Sequence, residues 1–340
     1  MANNLVIILV PGGMGTTLSL SGTPVWDFNL FPPHLDGVRM ITDPALLVPW
    51  LPLEPGNLLS VYDDLIKFLV NHGYVKDTDL FLWGYDWRQG MEANAVELAH
   101  LVKTINLGSK KILFIAHSCG CMVLRWALLF GTAATPSVPM INNALVDGVV
   151  AAGPPMLGMA RPFKDIVQMP TINDTFDRLF ALLRLLYPSL ADQVSVPINK
   201  SLMAVTAQLE GLAPNNIPIL SGGSSPPSSL YGVFDWKGWP VELRSLLTSV
   251  QATQAKLQTT NWGSVNCTVV ASQSHDTDTG YVLGTKDEYK SDLPTAKGDD
   301  SVLLSSAQAY CPSGTLLLVG ERHRTLLDDP KTRTLLATMI

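Results

Sequence analysis

Charge is what this sequence has least of. Asp, Glu, Lys and Arg make up only 15% of its 340 residues, against about 25% in ordinary globular chains, and the net charge is −6. No run of Lys and Arg, and no basic stripe interleaved with aromatics, is present, which argues against a nucleic-acid partner. Long apolar runs are missing as well. No stretch reaches the roughly 18 uninterrupted residues that mark a membrane span, so no transmembrane segment is predicted, although transient contact with a lipid surface suits so apolar a composition. Histidine is scarce, with six residues, and no His/Cys cluster has metal-ligand spacing, so neither metal nor cofactor is expected. No internal repeat occurs, and nothing in the sequence fixes an oligomeric state. The N-terminus has no basic leader, and its apolar run Leu5-Val6-Ile7-Ile8-Leu9-Val10 stops at Pro11-Gly12-Gly13. It reads as a buried strand rather than a signal peptide, and the expected location is cytoplasmic.

What the sequence does have is alternation. Apolar runs of strand length are separated by helical stripes, the pattern of a mostly parallel sheet with helices on both faces. Strands are expected at Leu5 to Val10, Asp79 to Trp83, Lys111 to Ala116, Leu145 to Ala152, Cys267 to Ala271 and Gly314 to Val319. The stripe Leu58, Val61, Tyr62, Leu65, Ile66, Leu69 predicts a helix ending at His72-Gly73, and a second helix is expected through Val96, Leu98, Leu101, Val102 and Ile105. Between Met156 and Asn261 the alternation stops. Residues 1–155 and 262–340 are therefore expected to form one α/β domain, and 156–261 an inserted cap or lid. Within the cap, Phe176, Leu179, Phe180, Leu183, Leu186 and Tyr187 share one helical face.

The most informative segment is Phe114-Ile115-Ala116-His117-Ser118-Cys119-Gly120-Cys121-Met122, where a buried strand turns at a serine into a helix. It is one residue from the G-x-S-x-G nucleophile elbow, with Ala116 in the place of the first glycine. The positions two residues either side of the serine must be small because strand and helix pass closely there. A serine so held projects its Oγ above the sheet edge, beside the unpaired N–H groups of a helix start.

An activated serine needs a base and an orienting acid, which on this kind of sheet follow in the order Ser, Asp or Glu, His. His323 comes directly after the last expected strand and is the candidate base; His275, after the preceding strand, is the alternative. For the acid, the segment Gly298-Asp299-Asp300-Ser301-Val302 stands ahead of Asp276 and Asp278. The glycine-rich bend Pro11-Gly12-Gly13-Met14-Gly15-Thr16 follows the first strand. Its backbone N–H groups are candidates for an oxyanion hole, Met14 N–H pairing with Cys119 N–H, with Gly13 beside the substrate. A phosphate-binding loop is not supported, because the bend has neither the P-loop lysine nor G-x-G-x-x-G spacing.

Several pieces together resemble the lecithin:cholesterol acyltransferase-like family of lipases and acyltransferases. These are Val10-Pro11-Gly12-Gly13-Met14-Gly15, Leu53-Glu54-Pro55-Gly56, Gly84-Tyr85-Asp86-Trp87-Arg88, the Ala-His-Ser-x-Gly elbow, Gly298-Asp299-Asp300-Ser301-Val302 and His323, in the family's order. The resemblance implies an α/β-hydrolase fold with an inserted cap, and it selects Asp299 over Asp300 because the family's acid precedes the valine by three. It also implies that Cys267 and Cys311 occupy positions bridged in secreted members; a bridge there would place the chain outside the cell. Ala116, Cys119 and the cap depart from the family's usual residues.

The expectation is thus a serine-dependent acyl-ester hydrolase or acyltransferase with a Ser118–Asp299–His323 triad. Its partner is a hydrophobic ester, seated against Gly13, Phe176, Phe180 and Leu183, with water or an alcohol as acyl acceptor. Two alternatives remain: a dedicated acyltransferase or lactone-forming enzyme, and a non-catalytic scaffold that binds an apolar ligand. A retired scaffold has no need to keep the three site residues together.

Overall fold

The computed structural model describes residues 4–27, 53–87, 89–132, 135, 138–160, 255–257, 261–283, 289–312 and 315–340, with short strand pieces at 34–35, 218–221 and 228–229. Its centre is a six-stranded sheet of β1 (Leu5–Val10), β2 (Leu80–Leu82), β3 (Lys111–His117), β4 (Val146–Ala152), β5 (Cys267–Ser272) and β6 (Leu316–Val319). The spatial order is β6-β5-β4-β3-β1-β2, and every neighbouring pair is parallel. Helices α1 (Asp63–Asn71), α2 (Met91–Thr104), α3 (Cys119–Leu129), α4 (Leu304–Ala307) and α5 (Pro330–Met339) accompany it.

Strand residues alternate between two cores, as the period of two requires. Val6, Ile8, Val10, Phe114 and Ala116 pack with Leu98 and Val102 of α2 and Met122 and Trp126 of α3. Ile7, Leu9, Leu113 and Ile115 point the other way, onto Leu65 and Leu69 of α1 and Leu336 of α5. Helices on both faces bury the central strands, which is why those read as continuous apolar runs, while the edge strands β2 and β6 stay partly exposed. This is the mostly parallel, two-faced architecture expected of an α/β-hydrolase.

The expected helix from Leu58 is shorter than its stripe. Leu58 closes a strand, Glu54–Leu58, a one-turn 3₁₀ segment spans Ser60–Tyr62, and α1 begins only at Asp63. Leu58 pairs with Thr16, and Leu59 N–H donates to Gly15 O at 3.0 Å, so strand pairing overrides the local periodicity. That pairing belongs to an antiparallel sheet formed with the hairpin Thr16–Leu20 and Thr23–Asp27.

β4 and β5 are neighbours, with Val149 opposite Cys267, so the expected insertion 156–261 lies on the connection between adjacent strands. Most of it, including Phe176, Phe180 and Leu183, lies outside the described residues. Its two ends are fixed to α3 by Arg125, which is fully buried. The guanidinium donates to Leu257 O at 2.7 Å and Asn261 O at 3.2 Å, reaches Met156 Sδ at 3.5 Å and lies 4.8 Å over the Tyr310 ring. Among the described residues no helix is long and apolar enough to cross a membrane.

Candidate active site

At the end of β3 the chain turns through Ser118 with φ 52° and ψ −129° and enters α3 at Cys119. A non-glycine residue at positive φ is strained, by roughly 1–3 kcal/mol, and the surroundings hold it there. Ser118 N–H donates to Ala152 O of β4 at 2.8 Å, and Ser118 O accepts from Cys121 N–H at 3.0 Å. The two small positions flanking the serine are not equivalent. A Cβ on Gly120 would lie 2.1 Å from Pro11 O, so glycine is obligatory there, whereas Ala116 packs inside the core. The alanine that departs from the elbow pattern is therefore accommodated within the core.

The structure brings Ser118, His323 and Asp299 together across some 200 residues of sequence. His323 follows β6 and opens a 3₁₀ segment, His323–Asp328. Its Nε2 stands 2.8 Å from Ser118 Oγ, and its Nδ1 2.8 Å from Asp299 Oδ2. Asp299 Oδ1 accepts the N–H groups of Val302 at 2.6 Å and Ser301 at 3.1 Å. Asp299 is the inner member of its pair. Asp300 turns outward to Arg322, 2.7 Å away on the surface, and Asp276 pairs with Lys297. His275 lies away from the serine, its Nε2 2.9 Å from Gly320 O.

The electrostatics suit a base oriented by an ionised acid. Burial pushes the Asp299 carboxyl up, but the His323 imidazole and the two backbone amides outweigh it and hold Asp299 below the usual carboxylate range. Burial pushes His323 down, and Asp299 outweighs that too, raising it above an ordinary histidine. His117 goes the other way. Wholly buried and facing His323, it is pushed down to about 3 and stays neutral.

Beside the elbow, the bend after β1 closes with Gly15 N–H donating to Gly12 O at 3.1 Å. Gly13 and Met14 form its tip, with Met14 at φ 62°, the positive-φ place of a type II turn. Gly12 packs against the nucleophile, where an added Cβ would come 2.9 Å from Ser118 Cβ; one on Gly13 would lie 3.7 Å from Cys119 Sγ. Of the expected oxyanion donors, Cys119 directly follows the serine at the start of α3, and Met14 lies in this bend, two residues beyond the glycine that packs on Ser118. Three aromatic donors brace the bend from behind. Tyr85 Oη donates to Pro11 O at 3.1 Å, Trp26 Nε1 to Met14 O at 3.2 Å and Trp87 Nε1 to Thr16 O at 3.3 Å. This gives the Tyr85-Asp86-Trp87 signature a physical role: it shapes the bend.

Sequence reasoning missed three residues around the site. Gly153, just past β4 at φ +57°, leaves room for the base; a Cβ there would sit 2.8 Å from His323 Nδ1. A glycine directly after the strand next to the elbow was the available signal. Tyr62 and His117 were read as a helix position and an elbow flank, yet Tyr62 Oη and His117 Nδ1 are 3.0 Å apart and buried. All four cysteines are thiols, with Cys121 and Cys267 buried, and among the described residues no cluster of His, Cys, Asp and Glu could hold a metal ion.

Residues 50–175, which include the elbow, match the family model described as lecithin:cholesterol acyltransferase. The phosphatidylcholine-sterol acyltransferase of Homo sapiens is 31% identical over 114 residues, 32% of this chain and 24% of that protein; that of Rattus norvegicus is 28% identical over 116 residues, 33% and 25%. The matched region thus spans about a quarter of these relatives' length. A chain in the crystal structure of the Tle4-Tli4 complex superposes with a TM-score of 0.57 at 11% identity, covering 98% of this chain and 97% of that one, a likeness of fold alone. The chain has the α/β-hydrolase fold, and the segment that carries its elbow is similar in sequence to the lecithin:cholesterol acyltransferase family.

Proposed function

We propose that the chain is a serine-dependent acyl-ester hydrolase or acyltransferase acting on a hydrophobic ester. The observation that carries this reading is the hydrogen-bonded line from Ser118 Oγ through the His323 ring to Asp299, 2.8 Å at each step. In the proposed reaction Ser118 Oγ attacks the ester carbonyl carbon while His323 Nε2 takes the hydroxyl proton. Asp299 holds the proton on Nδ1 and stabilises the imidazolium. The tetrahedral oxyanion sits against Met14 N–H and Cys119 N–H, the second at the positive end of α3. Collapse breaks the bond to the alcohol oxygen, His323 returns the proton to the leaving alcohol, and the acyl group remains on Ser118. A water or a second alcohol, deprotonated by His323, then attacks the acyl-enzyme and restores the serine.

The segment 156–261 is proposed to supply the apolar wall for the acyl chain through Phe176, Phe180 and Leu183. Each methylene buried there contributes about 0.8 kcal/mol. Transfer to an alcohol is the second reading, favoured by relatives named for passing an acyl group to a sterol. Product analysis with a long-chain ester donor, with and without a long-chain alcohol or sterol, tests both. Free fatty acid alone assigns a hydrolase, a new ester assigns a transferase, and no acyl product from either reaction refutes the proposal.

A further inference from the structure

We propose that Tyr62 and His117 are positioning residues for the base. A one-way line of hydrogen bonds, Gly12 N–H to Tyr62 Oη, Tyr62 O–H to His117 Nδ1 and His117 Nε2–H to His323 O, fixes where the His323 ring stands. The three separations are 2.8, 3.0 and 2.8 Å, and all four groups are buried. The inference rests on the serine reading for its catalytic meaning, but not for its geometry.

The direction of the line follows from its ends. Gly12 offers only an N–H, so Tyr62 Oη accepts there and its own hydrogen is left for His117. The His323 carbonyl only accepts, so His117 must carry its proton on Nε2. The opposite tautomer would set a nitrogen lone pair against a carbonyl oxygen at 2.8 Å. A doubly protonated ring is excluded by burial, which keeps His117 neutral, and burial likewise holds the Tyr62 phenol protonated, with Cys121 and Cys119 reinforcing it. The line thus has one protonation pattern across the working pH range.

Its consequence falls on one residue, through the two peptide units that flank it. His323 N–H donates to Asp299 O at 2.8 Å, and His323 C=O accepts from His117. The acid loop holds the base's backbone from one side and the elbow holds it from the other. The same two elements hold the ring, through Asp299 Oδ2 and Ser118 Oγ. Since the other end of the line is Gly12 in the bend after β1, the bend, the elbow and the base loop are set at one mutual spacing. It also commits the Gly12 N–H, leaving Gly13 and Met14 as the bend's amides nearest a substrate. Misplacing a reacting group by about 1 Å can cost on the order of 10²-fold in rate.

The test uses the full chain and two readouts. Imidazole ¹⁵N NMR follows the His323 titration without substrate, while Asp300 and Arg324, which also face that ring, stay unchanged. The phosphonylation rate constant, measured per titratable site with an organophosphonate, follows reactivity independently of the folded fraction. His117→Leu and Tyr62→Phe should each bring the His323 midpoint down towards that of free imidazole, about 6.5, and slow phosphonylation about 10- to 100-fold. His117→Gln keeps a side-chain N–H near the place of Nε2 and should recover most of the rate. If His117→Leu does not fold, Tyr62→Phe decides. A lower amplitude with unchanged rate constant and unchanged midpoint overturns the proposal, because a purely structural role predicts that result. Should Ser118→Ala label as fast as wild type, the serine reading fails, and the midpoints still decide the positioning role.

Discussion

Asp299→Asn is the substitution whose outcome the geometry constrains most tightly. Oδ1 of Asp299 accepts two backbone amides, Val302 at 2.6 Å and Ser301 at 3.1 Å, and Oδ2 faces His323 Nδ1 at 2.8 Å. An asparagine can turn only one way. Facing its NH₂ towards two N–H donors would leave them unmet in a site 1% exposed, at about 1–3 kcal/mol each, so the amide oxygen stays with the backbone and the NH₂ faces His323. Nδ1 must then present its lone pair, and the ring proton moves to Nε2, which points at Ser118 Oγ 2.8 Å away. That tautomer cannot take the serine's proton. The expected loss is about 10⁴-fold in kcat, or about 5.4 kcal/mol of transition-state stabilisation, with the fold retained because the backbone bonds survive. Stopped assays on a p-nitrophenyl ester, with thermal unfolding as the control for folding, measure it. Asp300→Asn is the internal comparison: Asp300 pairs with an arginine whose side chain is 67% exposed, a contact worth about 0–1 kcal/mol, so most activity should remain. A loss under tenfold for Asp299→Asn in folded protein, or the reverse ranking, refutes the reasoning.

Four further outcomes follow. Gly153→Ala places a methyl 2.8 Å from His323 Nδ1 at a φ of +57°; it should lower kcat on short and long esters alike and lower the melting temperature, and unaltered kinetics would contradict the packing. In kcat/KM against pH the acid limb should have its midpoint above the ordinary histidine value of about 6.5, because Asp299 raises His323 and only the neutral ring is a base. Stability against pH should reflect opposed groups: the raised His323 stabilises below about 6.5 and loses that contribution as pH rises through its folded value. The lowered His117 removes stability as pH falls from about 6.5 towards about 3, and Asp299 removes more as pH falls below about 3.9 through its own folded value. Thermal unfolding across pH 3–8 should therefore show the midpoint falling on the acid side, and a flat profile would contradict a neutral buried His117. Replacing Phe180 and Leu183 with serine should weaken long-chain esters more than short-chain ones, and equal losses would remove them from the acyl wall.

The sequence made the sheet and the elbow legible for one physical reason. Strands covered on both faces must be apolar throughout, so β1, β3, β4 and β5 stand out as runs, and Ser118 lies at the corner where one such run passes directly into a helix. His323 and the Asp299 segment were legible from chain order after the later strands, and the family resemblance separated Asp299 from Asp300. The hairpin Thr16–Leu20 and Thr23–Asp27 was not legible, because its residues are mixed in polarity and its register comes from pairing with Glu54–Leu58. The same pairing shortened the helix expected from Leu58. Tyr62 and His117 were hidden for a different reason. Their partners lie 55 and 206 residues away in sequence, and no local pattern states which buried carbonyl a histidine will meet. The roles of Tyr85 and Trp87 were hidden likewise, since the motif names them but only the fold shows that they grip Pro11 and Thr16.

The central claim is that Ser118 is an activated nucleophile, and intact-mass analysis after exposure to an organophosphonate tests it most directly. Wild type should gain one phosphonyl adduct mapping to the peptide that holds Ser118, quickly at neutral pH and slowly below the His323 midpoint, since only a serine relieved of its proton reacts fast. Ser118→Ala should gain none. An adduct that persists in Ser118→Ala, or a wild-type protein that stays unmodified while folded, contradicts the account.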